Sequence, residues 1–233
     1  MTVLNTVIYN DYGVTIVKIV TQKSKKINAF TPTISPLLSF SLHMATEKII
    51  IITAPSGAGK TSITRYLLEK YPFLSFSISA ATRAPRGNEK DGKDYYFISE
   101  TSFQQKIQEQ AFVEWEMVYK GKYYGTLKSE LQRIWNQNQT PVLDIDVKGA
   151  IHVQQQYPQQ TLSIFIQPPS IEVLAERLAN RGTESPESIA TRVSKAAYEI
   201  SFNQNFNAII VNDDLEKACH EAEKVILAFL DKQ

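Results

Sequence analysis

From Met44 onward, short apolar runs alternate with segments that have the hydrophobic spacing of helices. The run KIIIIT at 48–53 is continuous and β-branched, as expected of a strand buried on both faces of a parallel sheet. Similar runs at 74–79, 141–147, 162–167 and 207–212 are separated by helical patterns, among them 60–70 and 215–230. Strands that alternate with helices predict an α/β fold with a mostly parallel sheet flanked by helices.

A segment of about 81–126 breaks this alternation, because it is rich in Tyr, Phe and Gly. We interpret it as a small mixed, β-rich insertion. The core is then predicted to consist of about 44–80 and 127–233, within one domain at 44–233.

The first 43 residues differ in composition, with four lysines, one acidic residue and no arginine. Three interpretations stay open: a flexible extension, a targeting peptide, or translated upstream sequence with Met44 as the working start. The basic region and apolar core of a secretory signal are absent, and organellar transit peptides are usually Arg-rich. We therefore expect an extension without catalytic function, disordered or not translated, although the alternation at 14–20 is also compatible with a strand.

The charge balance limits the partners that we expect. With 25 basic and 24 acidic side chains, the formal charge is +1, which gives no support to a nucleic-acid-coating protein. A single cysteine, Cys219, excludes an intrachain disulfide, and we expect it to be a buried apolar-type side chain. No run of 18 apolar residues occurs, so we expect no membrane association and a cytoplasmic protein.

The motif APSGAGKT lies directly after the first apolar run and opens a helical segment. A glycine-rich turn in this position directs backbone N–H groups and the positive end of a helix toward a phosphate chain. Lys60 is expected to reach the β- and γ-phosphates of a nucleoside triphosphate, and the Thr61 hydroxyl to bind Mg²⁺. The predicted ATP-binding residues of the motif are Ala54, Pro55, Ser56, Gly57, Ala58, Gly59, Lys60 and Thr61. Ala54 replaces the usual first glycine, which the cradle tolerates if its φ is negative.

Six motifs, in order and spacing, resemble those of guanylate kinases: APSGAGKT, SAATRAPRGNEKDGKDYYF, FVEWEMVYKGKYYGT, LDIDVKGA, RLANRGTESPESIATR and IIVNDD. The resemblance covers about residues 47–231 and implies a P-loop core, a GMP-binding insertion and a helical lid at about 177–195. It also implies phosphoryl transfer from ATP to GMP, with Mg²⁺ as cofactor, by a monomer or homodimer.

The resemblance implies a GMP site with two parts. The phosphate is expected to bind Arg83, Arg86, Tyr95 and Tyr124, and guanine to bind Glu114, Asp146, Ser79 and Thr126. The planar guanidinium of arginine can donate two parallel hydrogen bonds to a phosphate dianion. A carboxylate accepts the adjacent N1–H and N2–H₂ donors of guanine but faces a lone pair in adenine.

Further roles follow by analogy and resemblance. Asp144 and Asp146, two apart, are expected on one face of a strand near its C-terminal end, with Asp144 provisionally assigned to Mg²⁺. In the lid, Arg177, Arg181 and Arg192 are expected to stabilise transition-state charge, with Arg177 and Arg181 on one helical face. Asn212 matches a family position near the adenine of ATP.

Two alternatives stay open in the sequence. Another P-loop kinase would keep the cradle and lid but would have no use for Glu114 and Asp146. A guanylate-kinase-like peptide-binding module would be expected to lack parts of the cradle or lid, whereas Lys60, Thr61 and the lid arginines are all present.

Overall fold

The computed structural model describes residues 2–10, 13–21, 47–180 and 185–232. The chain divides into two compact units, Met1–Leu42 and His43–Gln233. In the first, strands β1 (Thr2–Asn10) and β2 (Gly13–Thr21) pair antiparallel, with Thr2 opposite Thr21. The alternating segment at 14–20 lies within β2.

The second unit contains the elements that the apolar pattern predicts. Its strands are β3 (Ile49–Thr53), β4 (Leu74–Phe76), β5 (Ala80–Ala81), β6 (Tyr96–Phe97), β7 (Phe112–Tyr119), β8 (Lys122–Leu127), β9 (Thr140–Leu143), β10 (Thr161–Gln167) and β11 (Ala208–Val211). Its helices are α1 (Lys60–Lys70), α2 (Glu100–Gln108), α3 (Lys128–Trp135), α4 (Val147–Gln156), α5 (Ile171–Ala179), α6 (Pro186–Ile200) and α7 (Leu215–Leu230).

A five-stranded sheet in the order β11-β10-β3-β9-β4 forms the centre of this unit, and all of its strand pairs are parallel. Every residue of β3 is buried, as its continuous β-branched run predicts. One face packs against α1 and α7, and the other against α3 and α4. The predicted α/β fold with a parallel sheet flanked by helices is confirmed.

Two predicted strands are too long. The run at 74–79 forms a strand only to Phe76, and the run at 141–147 only to Leu143. The prediction that Asp144 and Asp146 share a strand face is therefore wrong. The reason is a helix cap: the Asp146 carboxylate accepts the Gly149 backbone N–H at 2.8 Å and starts α4, so the chain has already left the sheet.

The insertion folds as a second, four-stranded sheet in the order β6-β5-β8-β7. The β5–β6 pair is parallel, whereas β5–β8 and β7–β8 are antiparallel, so this sheet is mixed. Its own small core is built around Phe103, which stacks on Phe112 with ring centroids 4.3 Å apart. Helices α5 and α6 share a further small core of Leu174, Leu178 and Ala196.

Cys219 lies buried in α7, as expected of an apolar-type side chain. None of the described helices combines the length and apolar character that a membrane span requires.

Candidate active site

The phosphate cradle between β3 and α1 depends on glycine at two positions. Gly57 and Gly59 have φ angles of 96° and 97°, which residues with a Cβ rarely adopt. A Cβ on Gly59 would also run into the amide nitrogen of Asn212, which donates to the Ala58 carbonyl at 2.7 Å. The buried Asn212 side chain, which follows the end of β11, therefore packs against the backbone of the turn.

Ala54, where the motif usually has glycine, fits this turn. Among the described residues other than glycine, only Gln110 and Asn138 have a positive φ, so Ala54 has an ordinary backbone conformation. Its side chain packs against the core around β3. The condition under which the cradle tolerates alanine is met.

Lys60, in the first turn of α1, forms an ion pair with Asp144, which follows the end of β9. Both side chains are partly exposed, at 23% and 33%, and both border a cavity of about 490 Å³. The cavity is also lined by the cradle backbone and by Thr61. An ammonium, a hydroxyl and a carboxylate thus line one cavity that a phosphate chain can enter.

A second cavity, of about 420 Å³, opens between the insertion and the carboxyl edge of the parallel sheet. It brings together most of the residues predicted to bind GMP: Ser79, Arg83, Arg86, Tyr95, Glu114, Tyr124 and Asp146. Four residues, Tyr95, Asp144, Ile145 and Asp146, line both this cavity and the cradle cavity. The two cavities are therefore neighbours that meet at the end of β9.

Glu114 is the buried acid of the second cavity. It lies on β7 opposite Thr126 of β8, whose backbone N–H and hydroxyl donate to one carboxylate oxygen at 2.8 and 2.7 Å. Burial raises the pKa of Glu114 to about 7, and the bonds from Thr126 oppose this rise. Gly149 leaves room for the carboxylate, because a Cβ there would lie 2.9 Å from its other oxygen.

Glu116, which the sequence reasoning missed, lies two residues further along β7 and lines the same cavity. One of its oxygens is buried, its side chain lies within hydrogen-bond reach of Asp146, and the Lys148 ammonium lies 3.8 Å from the other oxygen. The neighbouring Asp146 carboxyl, together with burial, raises the pKa of Glu116. The i, i+2 spacing from Glu114 would have placed it on this face.

Arg83 is the most firmly held of the predicted phosphate ligands, with only 9% of its side chain exposed. It donates to the Tyr124 hydroxyl at 3.1 Å, and its guanidinium lies 4.7 Å from the ring centroid of Tyr95. The two terminal nitrogens of the same guanidinium donate to the Glu89 carboxylate at 2.5 and 2.8 Å. Arg86 is exposed and also borders the cavity.

The helices of the predicted lid bring two arginines toward the cradle. Arg192 on α6 donates to the Ser56 hydroxyl at 2.6 Å, and Arg177 on α5 donates to the Asn212 carbonyl at 2.9 Å. Helix α5 ends at Ala179, and Arg181 lies outside the described residues.

Two further residues of α6, Lys195 and Glu199, line the cradle cavity and were not predicted. Their spacing from Arg192, at i+3 and i+7, is that of one helical face, which is the pattern that indicates them. Burial raises the pKa of Glu199.

The parallel sheet, its glycine-rich cradle and the second polar cavity beside it define a P-loop kinase. The acids and arginines of that second cavity suit a phosphorylated nucleobase-containing acceptor, as in nucleoside monophosphate kinases.

Comparison with known proteins identifies the family. A family model described as guanylate kinase matches residues 46–229. The chain is 47% identical to a guanylate kinase of Bacteroides thetaiotaomicron over 194 residues, which cover 83% of this chain and 95% of that protein. It is 48% identical to a guanylate kinase of Porphyromonas gingivalis over 79% of this chain and 99% of that protein.

Among solved structures, a guanylate kinase from Anaplasma phagocytophilum superposes with a TM-score of 0.64 at 29% identity. The match covers 82% of this chain and 90% of that one. The chain belongs to the guanylate kinase family, the enzymes that phosphorylate GMP to GDP with ATP. The fold, the family and the activity that the six motifs imply are confirmed.

Proposed function

We propose that this chain holds ATP in the cradle cavity and GMP in the insertion cavity, so that the γ-phosphate of ATP meets the GMP phosphate at the end of β9. The observation that carries the proposal is the shared lining of the two cavities by Tyr95, Asp144, Ile145 and Asp146. A phosphoryl group can pass between neighbouring sites without a covalent enzyme intermediate, because a GMP phosphate oxygen is itself the nucleophile. Catalysis is then positioning plus charge stabilisation.

In the acceptor site, we assign the phosphate to Arg83, Arg86, Tyr95 and Tyr124 and the base to Glu114, Asp146, Ser79 and Thr126. The buried Glu114 carboxylate suits the neighbouring N–H donors of guanine, since such a group would lose its hydrogen bonds against adenine. Thr126 acts on the base through Glu114, because its hydroxyl donates to that carboxylate.

In the donor site, we assign the ATP phosphates to Lys60 and to the backbone of residues 54–61. The Lys60 ammonium, paired with Asp144, exchanges part of this contact for the β- and γ-phosphates. Asn212 supports the cradle from behind, because its amide group is buried against the Ala58 carbonyl.

Thr61 and Asp144 both line the cradle cavity and carry the kind of oxygen ligand that Mg²⁺ prefers. Within residues 47–180 and 185–232, no three acidic, His or Cys side chains converge as a metal cage. A partial set of this kind fits Mg²⁺, which usually binds one or two protein ligands together with substrate phosphates. When bound, the ion neutralises charge on the β- and γ-phosphate oxygens.

The lid arginines are assigned to the charge that develops on the transferring phosphoryl group. Arg192 already contacts the cradle through Ser56, and Arg177 lies against the end of β11. Arg181 is assigned by family resemblance. Arginines in such positions contribute about 10³–10⁵-fold to the rate of phosphoryl transfer.

The proposal is tested by an ADP-release assay in which purified protein receives ATP and Mg²⁺ with GMP, AMP or UMP as acceptor. We expect GMP to be used and the other two to be poorer by about 10⁴-fold or more, because an acid-lined guanine site leaves unpaired polar groups with the wrong base. Comparable turnover of AMP or UMP, or no turnover of GMP, would overturn the assignment of the acceptor site.

A further inference from the structure

Glu89, in the loop between β5 and β6, has no role in the functional assignments above. Its carboxylate accepts from both terminal nitrogens of Arg83, at 2.5 and 2.8 Å, and from the backbone N–H of Arg86 at 2.8 Å. The backbone N–H of Glu89 in turn donates to the Arg86 carbonyl at 3.0 Å. One carboxylate therefore connects the two arginines that are assigned to the acceptor phosphate.

The hydrogen bonds of Arg83 determine how its guanidinium can meet a ligand. Nε donates to the Tyr124 hydroxyl at 3.1 Å, and Nη1 donates to the Ala84 carbonyl at 3.0 Å and to Glu89. Nη2 donates once to Glu89. The Tyr95 side chain also hydrogen-bonds this guanidinium, so several groups fix the position from which Arg83 meets a ligand.

Glu89 pairs with Arg83 without lining the acceptor cavity. Of the described residues, Arg83 and Arg86 line that cavity and Glu89 does not; Glu89 borders a neighbouring cavity of about 660 Å³. A guanidinium as buried as that of Arg83 is strongly disfavoured without a counter-charge. Glu89 supplies this charge before any phosphate arrives, and its own pKa is lowered to about 2 by the bond from Arg83.

We propose that Glu89 is a positioning residue for the acceptor phosphate: its carboxylate holds the Arg83 guanidinium and the Arg86 backbone in the arrangement that a phosphate monoester dianion binds. The ion pair stays formed when the nucleotide is bound, because its loss would also free the loop that carries Arg86. The inference rests on the proposed acceptor site.

The test compares Glu89→Gln and Glu89→Ala with Glu109→Gln, a matched change of an exposed glutamate at the end of α2. We expect KM for GMP to rise about 10- to 100-fold in the Glu89 variants, as for loss of a hydrogen-bonded charge, with KM for ATP and the melting temperature little changed. Guanosine, which has no phosphate, should bind to wild type and Glu89→Gln alike. Glu109→Gln should behave as wild type.

Several results would overturn the inference. A lower KM for GMP in Glu89→Gln would mean that Glu89 competes with the phosphate for Arg83. An unchanged KM would mean that the ion pair has no part in binding, and an equal loss of guanosine and GMP would indicate a general loop defect. If Glu89→Ala does not fold, the KM for GMP of Glu89→Gln, which keeps the side-chain shape, tests the inference alone. Failure of the proposed function would differ from all of these, since wild-type protein would then not use GMP.

Discussion

The donor and acceptor cavities achieve phosphate binding by different means. The donor cavity is a backbone structure, in which two glycines with positive φ wrap the chain between a fully buried strand and the start of α1. The acceptor cavity is a side-chain structure, in which Arg83 is already held by Glu89, Tyr124 and the Tyr95 ring. Phosphate binding in the donor cavity therefore depends on backbone conformation, and in the acceptor cavity on charged side chains that pair with each other.

The largest effect is expected from the one side-chain cation of the donor motif. Lys60→Ala removes the group assigned to the β- and γ-phosphates, so kcat should fall by at least about 10²–10³-fold. Steady-state turnover of ATP with saturating GMP measures this. Lys195→Ala removes another ammonium that lines the same cavity, and its kcat should fall much less. Similar losses in both variants would mean that the cavity needs only positive charge, not a ligand at position 60.

A second change tests whether the donor cavity depends on backbone conformation. Gly59→Ala imposes a Cβ at a φ of 97° and against Asn212, which should cost about 1–3 kcal/mol in stability and weaken ATP binding. The control is Gly92→Ala, which also has a positive φ of 70° but meets nothing within 4 Å. Thermal unfolding and ATP titration compare the two. Equal ATP affinity in both variants would contradict the close contact between Asn212 and the cradle.

A third change tests the pairing of charges in the acceptor cavity. Arg83→Lys cannot donate to Tyr124 and fork onto Glu89 at once, so KM for GMP should rise about 10- to 100-fold while KM for ATP stays the same. Arg133→Lys is the matched control, because Arg133 also forks onto a glutamate, Glu130, but borders neither nucleotide cavity. A rise in KM for ATP in Arg83→Lys would contradict the separation of the two cavities.

The smallest effect concerns proton uptake by the buried acid of the acceptor cavity. The pKa of Glu114 is raised from 4.5 to about 7, so the carboxylate that accepts the guanine N–H groups becomes protonated as the pH falls below about 7. Guanosine Kd should then rise by up to about tenfold per pH unit. Guanosine is used because the GMP phosphate itself titrates near pH 6.

The same raised pKa has a consequence for the unliganded protein. Because the neutral acid is favoured by burial, the contribution of Glu114 to stability is full below pH 4.5 and is lost as the pH rises through about 7.

Two variants test which acid causes the pH dependence of the guanosine Kd. Glu114→Gln should remove this pH dependence, whereas Glu116→Gln should keep it. Persistence of the pH dependence in Glu114→Gln would assign the titration to Glu116.

The cradle of the donor cavity could be predicted from the sequence, because its elements are consecutive in the chain, whereas Lys195 and Glu199 of the same cavity were not predicted. A buried strand, a glycine-rich turn and a helix follow each other within 49–70, and each has its own pattern. The hydrogen bond from Asn212 to the cradle could not be predicted from local patterns, since it joins residues that are 154 positions apart.

The acceptor cavity could be predicted only through the family resemblance. Glu114, Arg83 and Asp146 come from three separate segments, and nothing in their local patterns indicates that they meet. Asp146 was placed on a strand because the apolar run LDIDV resembles one, but helix capping at the start of α4 outweighed strand propensity. The pairing of Arg83 with Glu89 depends on the turn at 86–89, which a sequence pattern does not specify.

The separation of the two phosphate sites is tested most directly by calorimetric titration of GMP into Lys60→Ala in the absence of ATP. We predict that GMP binds this variant with the wild-type Kd, because Lys60 borders the cradle cavity and not the one that holds Arg83 and Glu114. A loss of GMP affinity as large as the loss of turnover would contradict the division of the active site into a donor and an acceptor cavity.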